Sequence, residues 1–346
     1  MRKLTIGVSG INAGDNPGPG IGVARSLRED PDFDVKIVGL AYDALEPGNY
    51  MDWVIDKAYT VPYPSTGGAA HMARLEQIRQ AVGLDLVIPC LDAELPLYIC
   101  YADDLRTRGI DTFLPGMSQF RLRGKDRLAE ISERIEIRLP RTAVVSSDEM
   151  LHEALTRIGL PVMVKGIFYE AHRARTHQEA LAFYRETAAK WGYPIVIQEV
   201  IDGDEVNVVG LGDGKGEALG LVGMKKMAVT SLGKVWSGVT VHPPELLEAA
   251  RRFCREFSWK GPFELECIIR DGEIFLIEIN PRFPAWTYFA TGVGVNLPSQ
   301  LVRSCLGMPT SASHDYPAGK MLVRYSYEFV ADMAPFQNLV TTRETP

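Results

Sequence analysis

Two carboxylates and an amide interrupt an apolar stretch in the last third of the chain. Glu266, Glu278 and Asn280 lie within residues 262–282, which read PFELECIIRDGEIFLIEINPR. Carboxylate and amide oxygens are hard ligands that suit Mg²⁺, which takes its remaining oxygens from water and phosphates. Arg282 follows at once, and its planar guanidinium suits a phosphoryl group. Hard-oxygen ligands and an arginine therefore converge on something anionic.

The same stretch predicts the hairpin that would bring these side chains together. Its two apolar runs, FELECII and EIFLIEIN, flank Arg270-Asp271-Gly272-Glu273, in which Asp-Gly supplies the positive φ of a tight turn. Glu278 and Asn280 are two residues apart and share one face of a strand. Pairing around the turn brings Glu266 to the same end of the hairpin as Glu278.

Composition limits the class of protein. The chain has 346 residues, of which 46% are hydrophobic and 23% charged, as expected for two to three globular domains. Its net charge of −7 argues against non-specific nucleic-acid binding. Five cysteines without metal-site spacing favour free thiols in a reducing cytoplasm. Since the start of the chain is too polar after residue 11 for a signal peptide and no 18-residue apolar run occurs, we expect a cytoplasmic protein without a membrane partner.

Residues 1–115 alternate between predicted strands and helices, which is typical of an open α/β unit. The glycine-rich stretch 14–22 is too long and contains too many prolines for a dinucleotide-binding fingerprint. We therefore interpret it as a substrate loop or a structural loop. Asp92 and Glu94 follow the predicted strand 85–89, where open α/β sheets bind ligands. Acids in the first turn of a helix explain the same pattern.

Lysines and polar residues punctuate the middle of the chain. Lys165 ends the predicted strand 161–166, where it either faces an anion or extends its amine to solvent. Strands at 195–200 and 205–210 are predicted to form a hairpin around a turn at 202–204. Lys225 and Lys226 lie on the next predicted strand, and adjacent lysines are typical of a solvated edge strand.

Two segments at the end of the chain complete the predicted elements. A closing strand is expected over 321–329, after the metal hairpin and a further helix. The tail over 332–346 is expected to be loosely held.

The chain resembles the ATP-grasp superfamily, closest to its carbamoyl-phosphate synthase-like and biotin-carboxylase-like branch. The resemblance rests on an acid, a second acid twelve residues on, an Asn after one more residue, and a following Pro-Arg, here Glu266, Glu278 and Asn280-Pro281-Arg282. It implies an α/β (α+β) fold in which two ATP-grasp lobes follow an open α/β domain. The implied domains are 1–115 (the preceding domain), 116–195 (small lobe), 196–331 (large lobe with the metal hairpin) and 332–346 (tail).

The resemblance also implies a role for each candidate site residue. Glu266, Glu278 and Asn280 would bind the Mg²⁺ of MgATP, with Mn²⁺ as a substitute. Arg282 would stabilise the transferring phosphoryl group or the acyl-phosphate. The residues implied to hold the nucleotide are Lys125 and Lys165 at the phosphates, Gln198, Glu199 and Ile201 at the adenine, Glu205 at the ribose, and Lys226 or its neighbour Lys225 as a further phosphate contact.

The implied activity is that of an ATP-dependent carboxylate–amine ligase. It would act on small-molecule or peptide carboxylates and amines through an acyl-phosphate, with a homodimer as the default assembly. Phosphorylation of bicarbonate or carbamate and non-catalytic ATP binding are the alternatives. One departure favours the last, because the link GIFYEAHRA lacks the glycine-rich phosphate loop of many members. Phosphate capture would then depend more on Lys165, metal and His172 or Arg173.

The substrate contacts are the least determined part of the site. Candidates in the first domain are Asn12, Asp15, Asp92 and Glu94, and candidates after the metal hairpin are Trp286, Tyr288 and Arg324. A structural role explains each of them equally well.

Overall fold

The structure, a computed structural model, describes residues 1–14, 16–168 and 170–346. Three β-sheets with flanking helices make up the described chain. The strands are β1 (Arg2–Val8), β2 (Phe33–Ala41), β3 (Lys57–Thr60), β4 (Leu86–Ile88), β5 (Thr142–Val145), β6 (Val162–Gly166), β7 (Ala171–Ala174), β8 (Ile195–Glu199), β9 (Asp204–Asp213), β10 (Ala218–Val229), β11 (Val235–Val241), β12 (Lys260–Arg270), β13 (Glu273–Asn280) and β14 (Met321–Val323).

Helices cover the sheets and connect their strands. They are α1 (Pro19–Arg28), α2 (Gly68–Val82), α3 (Leu95–Cys100), α4 (Ala102–Thr107), α5 (Met117–Phe120), α6 (Leu128–Arg134), α7 (Asp148–Ile158), α8 (His177–Trp191), α9 (Pro244–Phe257), α10 (Thr287–Gly292), α11 (Leu297–Cys305) and α12 (Met333–Thr341). Within the described ranges, none of these helices has the length and apolarity that crossing a bilayer requires.

The first sheet is parallel and has the order β3-β2-β1-β4. Its apolar strands are buried because α1 and α2 cover them. The first turn of α1 lies against the end of β1, and a Cβ on Gly20 would lie 2.0 Å from the carbonyl oxygen of Ser9. Only glycine therefore permits this approach, which sets the loop before α1 at the carboxyl edge of the sheet.

The second sheet is antiparallel with the order β5-β8-β6-β7, and we call this sheet with helices α7 and α8 the small lobe. The predicted hairpin between 195–200 and 205–210 is wrong, since β8 lies in this sheet and β9 in the third one. A Cβ on Gly203 would lie 2.5 Å from the carbonyl oxygen of Ile269, at the end of β12. The Asp-Gly-Asp segment, which looked like a hairpin turn, is therefore the crossing between two sheets.

The third sheet has the order β13-β12-β9-β10-β11-β14. Strand β10 pairs with both β9 and β11, so the prediction that Lys225 and Lys226 lie on an edge strand is wrong. One side of the sheet packs on α9 and α6, where Phe253, Trp259 and Phe263 form an aromatic core. The paired interior of the sheet supplies a rigid floor for the polar side chains of β9, β10, β12 and β13.

The predicted metal hairpin is present as β12 and β13, joined by a two-residue turn. Asp271 and Gly272 both have positive φ, at 54° and 81°, as a type I′ turn requires. A bulge then shifts the register, because Cys267 pairs with Leu276 whereas Glu266 pairs with Glu278. Without this extra residue Glu266 would face Ile277. The bulge therefore places the two carboxylates directly opposite each other.

The end of the chain is more ordered than its sequence suggests. The strand expected over 321–329 is limited to β14, and the expectation of a loosely held tail is wrong. Helix α12 leads to Thr345, which is buried and whose backbone N–H donates to the Ala58 carbonyl at 2.8 Å. Lys57 and Glu344 form an ion pair at 3.2 Å. These contacts attach the end of the chain to the first sheet.

Candidate active site

A cavity of about 540 Å³ lies where the first sheet, the metal hairpin and the small lobe meet. Loops after β1 and β4 form one wall, and the β12–β13 face forms another. Phe168 and residues 232–235 also line it. The polar residues of the wall are Asn12, Asn16, Asp92, Arg123, Asn207, Lys226, Lys234, Glu264, Glu266, Glu278, Asn280 and Arg282.

The hairpin presents four polar side chains on one face. Glu264 pairs with Asn280 and Glu266 with Glu278 across the strands, so alternation and register bring all four together. The Asn280 Nδ2 donates to Glu264 Oε2 at 3.0 Å and to Glu266 Oε1 at 2.8 Å. The structure thus groups the three predicted metal ligands and adds a third carboxylate.

Two lysines balance the charge of these acids. Lys125 Nζ lies 3.1 Å from Glu278 Oε1 and donates to the Phe168 carbonyl at 3.2 Å. Lys226 Nζ lies 3.0 Å from both Glu266 Oε2 and Glu205 Oε2. Burial alone would raise the pKa of Glu266, but the Lys226 charge and hydrogen bond lower that pKa overall. Glu266 is therefore held as a carboxylate.

The structure also distinguishes Lys226 from its neighbour. Lys226 is buried in the cavity wall, whereas Lys225 pairs with Asp204 at 2.7 Å on the other face of β10. Burial opposes the charge on Lys226, yet the nearby carboxylate of Glu266 raises its pKa. Of the two lysines, Lys226 faces the anions.

Lys165 and Gln198 meet inside the small lobe, from the neighbouring strands β6 and β8. Lys165 Nζ donates to Gln198 Oε1 at 2.6 Å, and Gln198 Nε2 donates to Thr142 Oγ1 at 3.1 Å. Burial, and then the charge of Lys125, lower the pKa of Lys165 to about 8. Although neither side chain is part of the cavity wall, Lys165 lies within electrostatic reach of Lys125 and of the metal hairpin.

Glu199 and Ile201 both precede the crossing between the second and third sheets, but their environments differ. The Glu199 side chain lies on the opposite side of β8 from Gln198, and its Oε2 accepts from Arg141 Nε at 3.0 Å. This hydrogen bond lowers the pKa of Glu199. Ile201 is buried. The structure therefore does not bring the Glu199 carboxylate to Lys165.

Arg282 connects the hairpin to the first sheet. Its Nε donates to Asp92 Oδ2 at 2.7 Å, and its Nη2 lies 3.4 Å from Asn280 Oδ1. Arg123 Nη1 lies 3.6 Å from the other oxygen of Asp92. Burial would lower the pKa of Arg282, but Asp92 raises it. Asp92 thus lies at the cavity and holds the arginine that is expected to meet a phosphoryl group.

Sequence reasoning missed Glu264 and Asn207. Asn207 Nδ2 and Trp286 Nε1 each donate to Glu264 Oε1 at 2.7 Å. Burial, followed by the charge of Glu266, raises the pKa of Glu264 to about 7. A signal for Glu264 was present, since it precedes Glu266 by two residues on an apolar strand. Asn207 has no local signal, because only the sheet register places it beside β12.

Glu94 forms a closed cluster away from the hairpin. Its carboxylate accepts from the hydroxyls of Ser9 and Tyr42 and from the backbone N–H groups of Cys90 and Leu91, the last two at 2.8 and 2.9 Å. All these partners lie in the first domain. Glu94 therefore shapes the loop after β4.

Several other candidates lie elsewhere. Tyr288 donates to Glu29 and stacks under Arg25, outside the cavity wall. Arg324 donates to Asn16 Oδ1 and to the Ala285 carbonyl. His172 stacks on Phe183, Arg173 pairs with Asp202 at 3.4 Å, and Asp15 lies outside the described residues.

The hairpin face suits a hard divalent cation by its donor chemistry. Glu266 and Glu278 lie directly opposite each other. The two carboxylates that accept from Asn280 Nδ2 do not contact its Oδ1, which can therefore act as a ligand. In the part of the chain that the structure describes, no three acidic, histidine or cysteine side chains already surround a common point. A site built from two carboxylates and one amide is consistent with that finding.

Comparison with known proteins identifies the fold. Residues 193–328 match the family described as "ATP-grasp in the biosynthetic pathway with Ter operon". This chain has an ATP-grasp fold. The biotin carboxylase domain dimer of 2-oxoglutarate carboxylase from Hydrogenobacter thermophilus, solved with MgADP, ADP and bicarbonate, is similar to this ATP-grasp chain with a TM-score of 0.69. That likeness covers 92% of this chain and 73% of the other at 16% identity, and it shows the fold.

Two curated relatives share part of this ATP-grasp chain. A phosphoribosylamine–glycine ligase of Mycobacterium leprae is 28% identical over 177 residues, 44% of this chain and 40% of the relative. A carbamoyl phosphate synthase large chain of Gemmatimonas aurantiaca is 28% identical over 199 residues, 52% of this chain and 18% of the relative. The chain thus spans less than half the length of either. The predicted resemblance to ATP-grasp proteins and the predicted fold class are confirmed, whereas the domain boundaries and the ligand role of each site residue stay predictions.

Proposed function

We propose that this ATP-grasp protein is an ATP-dependent carboxylate–amine ligase. The observation that carries the proposal is the face of Glu266, Glu278 and Asn280, which is balanced by lysines and opens on a cavity beside Arg282. Phosphoryl transfer depends on positioning and charge neutralisation more than on covalent chemistry by the protein. This face offers both. The ligase names of the partial relatives support the same class.

The nucleotide would extend from the hairpin towards the small lobe. Glu266, Glu278 and Asn280 would hold Mg²⁺, or Mn²⁺ in its place, and the bound cation would neutralise charge that develops on the phosphates. Lys125 and Lys226, which now pair with the acids, would turn to the phosphates, where Lys165 would join them. The proposed sites for the rest of the nucleotide are Gln198, Ile201 and the Glu199 backbone for the adenine, and Glu205 for the ribose.

The proposed reaction has two steps. A substrate carboxylate oxygen attacks the γ-phosphorus, the bond to the β–γ bridging oxygen breaks, and ADP leaves with that electron pair. The amine nitrogen then attacks the carbonyl carbon of the acyl-phosphate, loses a proton and displaces phosphate. Arg282 would stabilise the phosphoryl oxygens in both steps, and Asp92 holds its guanidinium in place at 2.7 Å.

The partners in this proposal are small. The cavity of about 540 Å³ accommodates a small-molecule carboxylate and amine, or the end of a peptide. A homodimer is proposed as the assembly, by analogy with the similar biotin carboxylase domain, whose structure is described as a dimer. Location in the cytoplasm stays a prediction from the free cysteines.

Substrate-dependent ADP release tests the proposal. Purified protein would be incubated with MgATP and a panel of amino acids, small carboxylic acids and bicarbonate, each with and without amines, and ADP would be measured in a coupled assay. Hydroxylamine would trap an acyl-phosphate as the hydroxamate. We expect one carboxylate to stimulate ADP release and to give a hydroxamate. Stimulation by bicarbonate alone would favour the carbamoyl-phosphate type of reaction, and no stimulation by any compound would contradict the ligase proposal.

A further inference from the structure

Glu264 is a buried carboxylate that forms no ion pair with any residue that the structure describes. Its exposure is 3%, and it lies two residues from Glu266 on the same strand face. Two neighbouring carboxylates repel each other, so an apolar residue at this position would suit stability better. The site therefore keeps a buried acidic side chain at a cost in stability, and its contacts need a functional explanation.

Its partners come from three separate segments of the chain. Asn207 on β9 and Trp286 after β13 both donate to Glu264 Oε1 at 2.7 Å. Its other oxygen, Oε2, accepts from Asn280 Nδ2 at 3.0 Å. Two donors thus fix one carboxylate oxygen, and the second oxygen is directed at Asn280.

The orientation of the Asn280 amide follows from these bonds. Asn280 Nδ2 donates to one oxygen of Glu264 and to one oxygen of Glu266, so the amide turns its two N–H groups to these two acids. Its Oδ1 then points the other way, towards Arg282 Nη2 at 3.4 Å. Without Glu264, only Glu266 would accept from the amide nitrogen, and the second N–H group would lose its partner.

We propose that Glu264 is a positioning residue that fixes the Asn280 amide so that its Oδ1 is presented to the metal of the bound nucleotide. The inference rests on the proposed function, since it assigns the metal to the hairpin face. Glu264 itself has its oxygens occupied by three donors and acts through Asn280. Residues that hydrogen-bond to metal ligands orient those ligands. Their substitution typically lowers metal affinity about tenfold to a hundredfold.

Glu264→Gln tests this role with little change in shape. The glutamine oxygen can keep the bonds from Asn207 and Trp286, which places its NH₂ group against the Asn280 NH₂ group. The dissociation constant of ADP would be measured by isothermal titration calorimetry with MgCl₂ and with EDTA. We expect E264Q to weaken ADP binding about tenfold in Mg²⁺ and to leave binding in EDTA within about twofold.

Controls separate positioning from a general structural role. Glu273→Gln makes the same substitution on an exposed part of the same hairpin and should change neither constant. In an Asn280→Ala background, E264Q should change the Mg²⁺ value by less than about twofold, because the amide it orients is gone. Should E264Q fail to fold, Glu264→Met, which has similar volume and no hydrogen-bonding group, should show the same Mg²⁺-specific loss.

The outcomes distinguish this inference from the proposed function. Unchanged Mg²⁺-dependent binding in E264Q, or equal losses with Mg²⁺ and with EDTA, would overturn the role of Glu264 alone. A wild-type protein whose ADP binding does not respond to Mg²⁺ would overturn the proposed metal site, and this inference with it.

Discussion

Two groups of buried carboxylates in this protein have opposite character. Glu94 is fully buried, and every donor to it, from Ser9, Tyr42, Cys90 and Leu91, belongs to the same domain. Its oxygens accept hydrogen bonds from groups that are fixed by the surrounding fold, including two N–H groups in the loop after β4. A carboxylate of this kind stabilises local structure.

The acids of the metal hairpin are held by partners that can move. Glu278 and Glu266 pair with the amines of Lys125 and Lys226, which come from other segments, and all of them border or adjoin a cavity. Flexible lysines can exchange a carboxylate for a phosphate when the carboxylate gains a metal ion. The two groups therefore differ in where their hydrogen-bond partners come from rather than in burial itself. This origin distinguishes the proposed ligand site from a structural acid.

The largest effect is expected at Glu278. Glu278→Gln removes one proposed metal ligand and should lower substrate-dependent ADP release about a hundredfold or more, as loss of a transition-state charge contact does. Its melting temperature should stay close to the wild-type value, since the side chain is partly exposed. The coupled ADP assay and a thermal melt measure the two effects. Unchanged turnover in a folded E278Q protein would remove the distinction between the two groups.

The opposite pattern is expected at Glu94. Glu94→Ala removes the acceptor of two hydroxyls and of the Leu91 N–H, while the Cys90 N–H keeps Ser9 Oγ at 2.9 Å. It should lower the free energy of unfolding by about 3 kcal/mol. Glu94→Gln is the matched control. It keeps one oxygen, and the Tyr42 hydroxyl can accept as well as donate, so the loss should be about 1 kcal/mol or less. Urea unfolding measures both, and an E94A protein as stable as the wild type would contradict the structural role.

A pH dependence is expected from Lys165. Burial lowers its pKa to about 8, so its positive charge is present at pH 7 and largely lost at pH 9. If Lys165 contacts the phosphates, the dissociation constant of ADP should rise about tenfold over this range. Lys165→Arg keeps its charge and should flatten the curve. Calorimetric titration at several pH values measures this, and equal slopes in both proteins would exclude Lys165 as the titrating contact.

The smallest effect is expected from the two neighbouring lysines of β10. Lys226→Met removes a cation from the cavity wall and should weaken ADP binding in EDTA about fivefold, since one charged contact contributes about 1 kcal/mol. Lys225→Met removes the partner of Asp204 on the other face and should leave binding unchanged. The same titration compares the two, and equal effects would contradict their assignment to opposite faces.

The sequence predicted the parts of the fold that depend on local pattern. The β12–β13 hairpin and its Asp271-Gly272 turn agree with the prediction. The crossing at Gly203 was misread because two apolar runs around Asp-Gly look alike whether the strands pair or separate. The contact of Gly203 with Ile269, which decides the matter, joins residues distant in sequence.

The candidate site was predictable to a similar extent. The spacing of Glu266, Glu278 and Asn280 was visible, but the bulge at residue 277 that aligns them was not, because its cause lies in the sheet. Which of the adjacent lysines faces the acids depends on strand parity. The importance of Glu264 depends on Asn207 and Trp286, which no local pattern connects to it.

The hairpin face is proposed to hold the metal of a bound nucleotide. The most direct test of this proposal is the ratio of ADP dissociation constants in EDTA and in MgCl₂, measured for the wild type and for E278Q. We expect Mg²⁺ to tighten ADP binding to the wild type about tenfold or more, and we expect E278Q to lose most of this increase in affinity. An E278Q protein that keeps the full wild-type ratio would contradict the proposal.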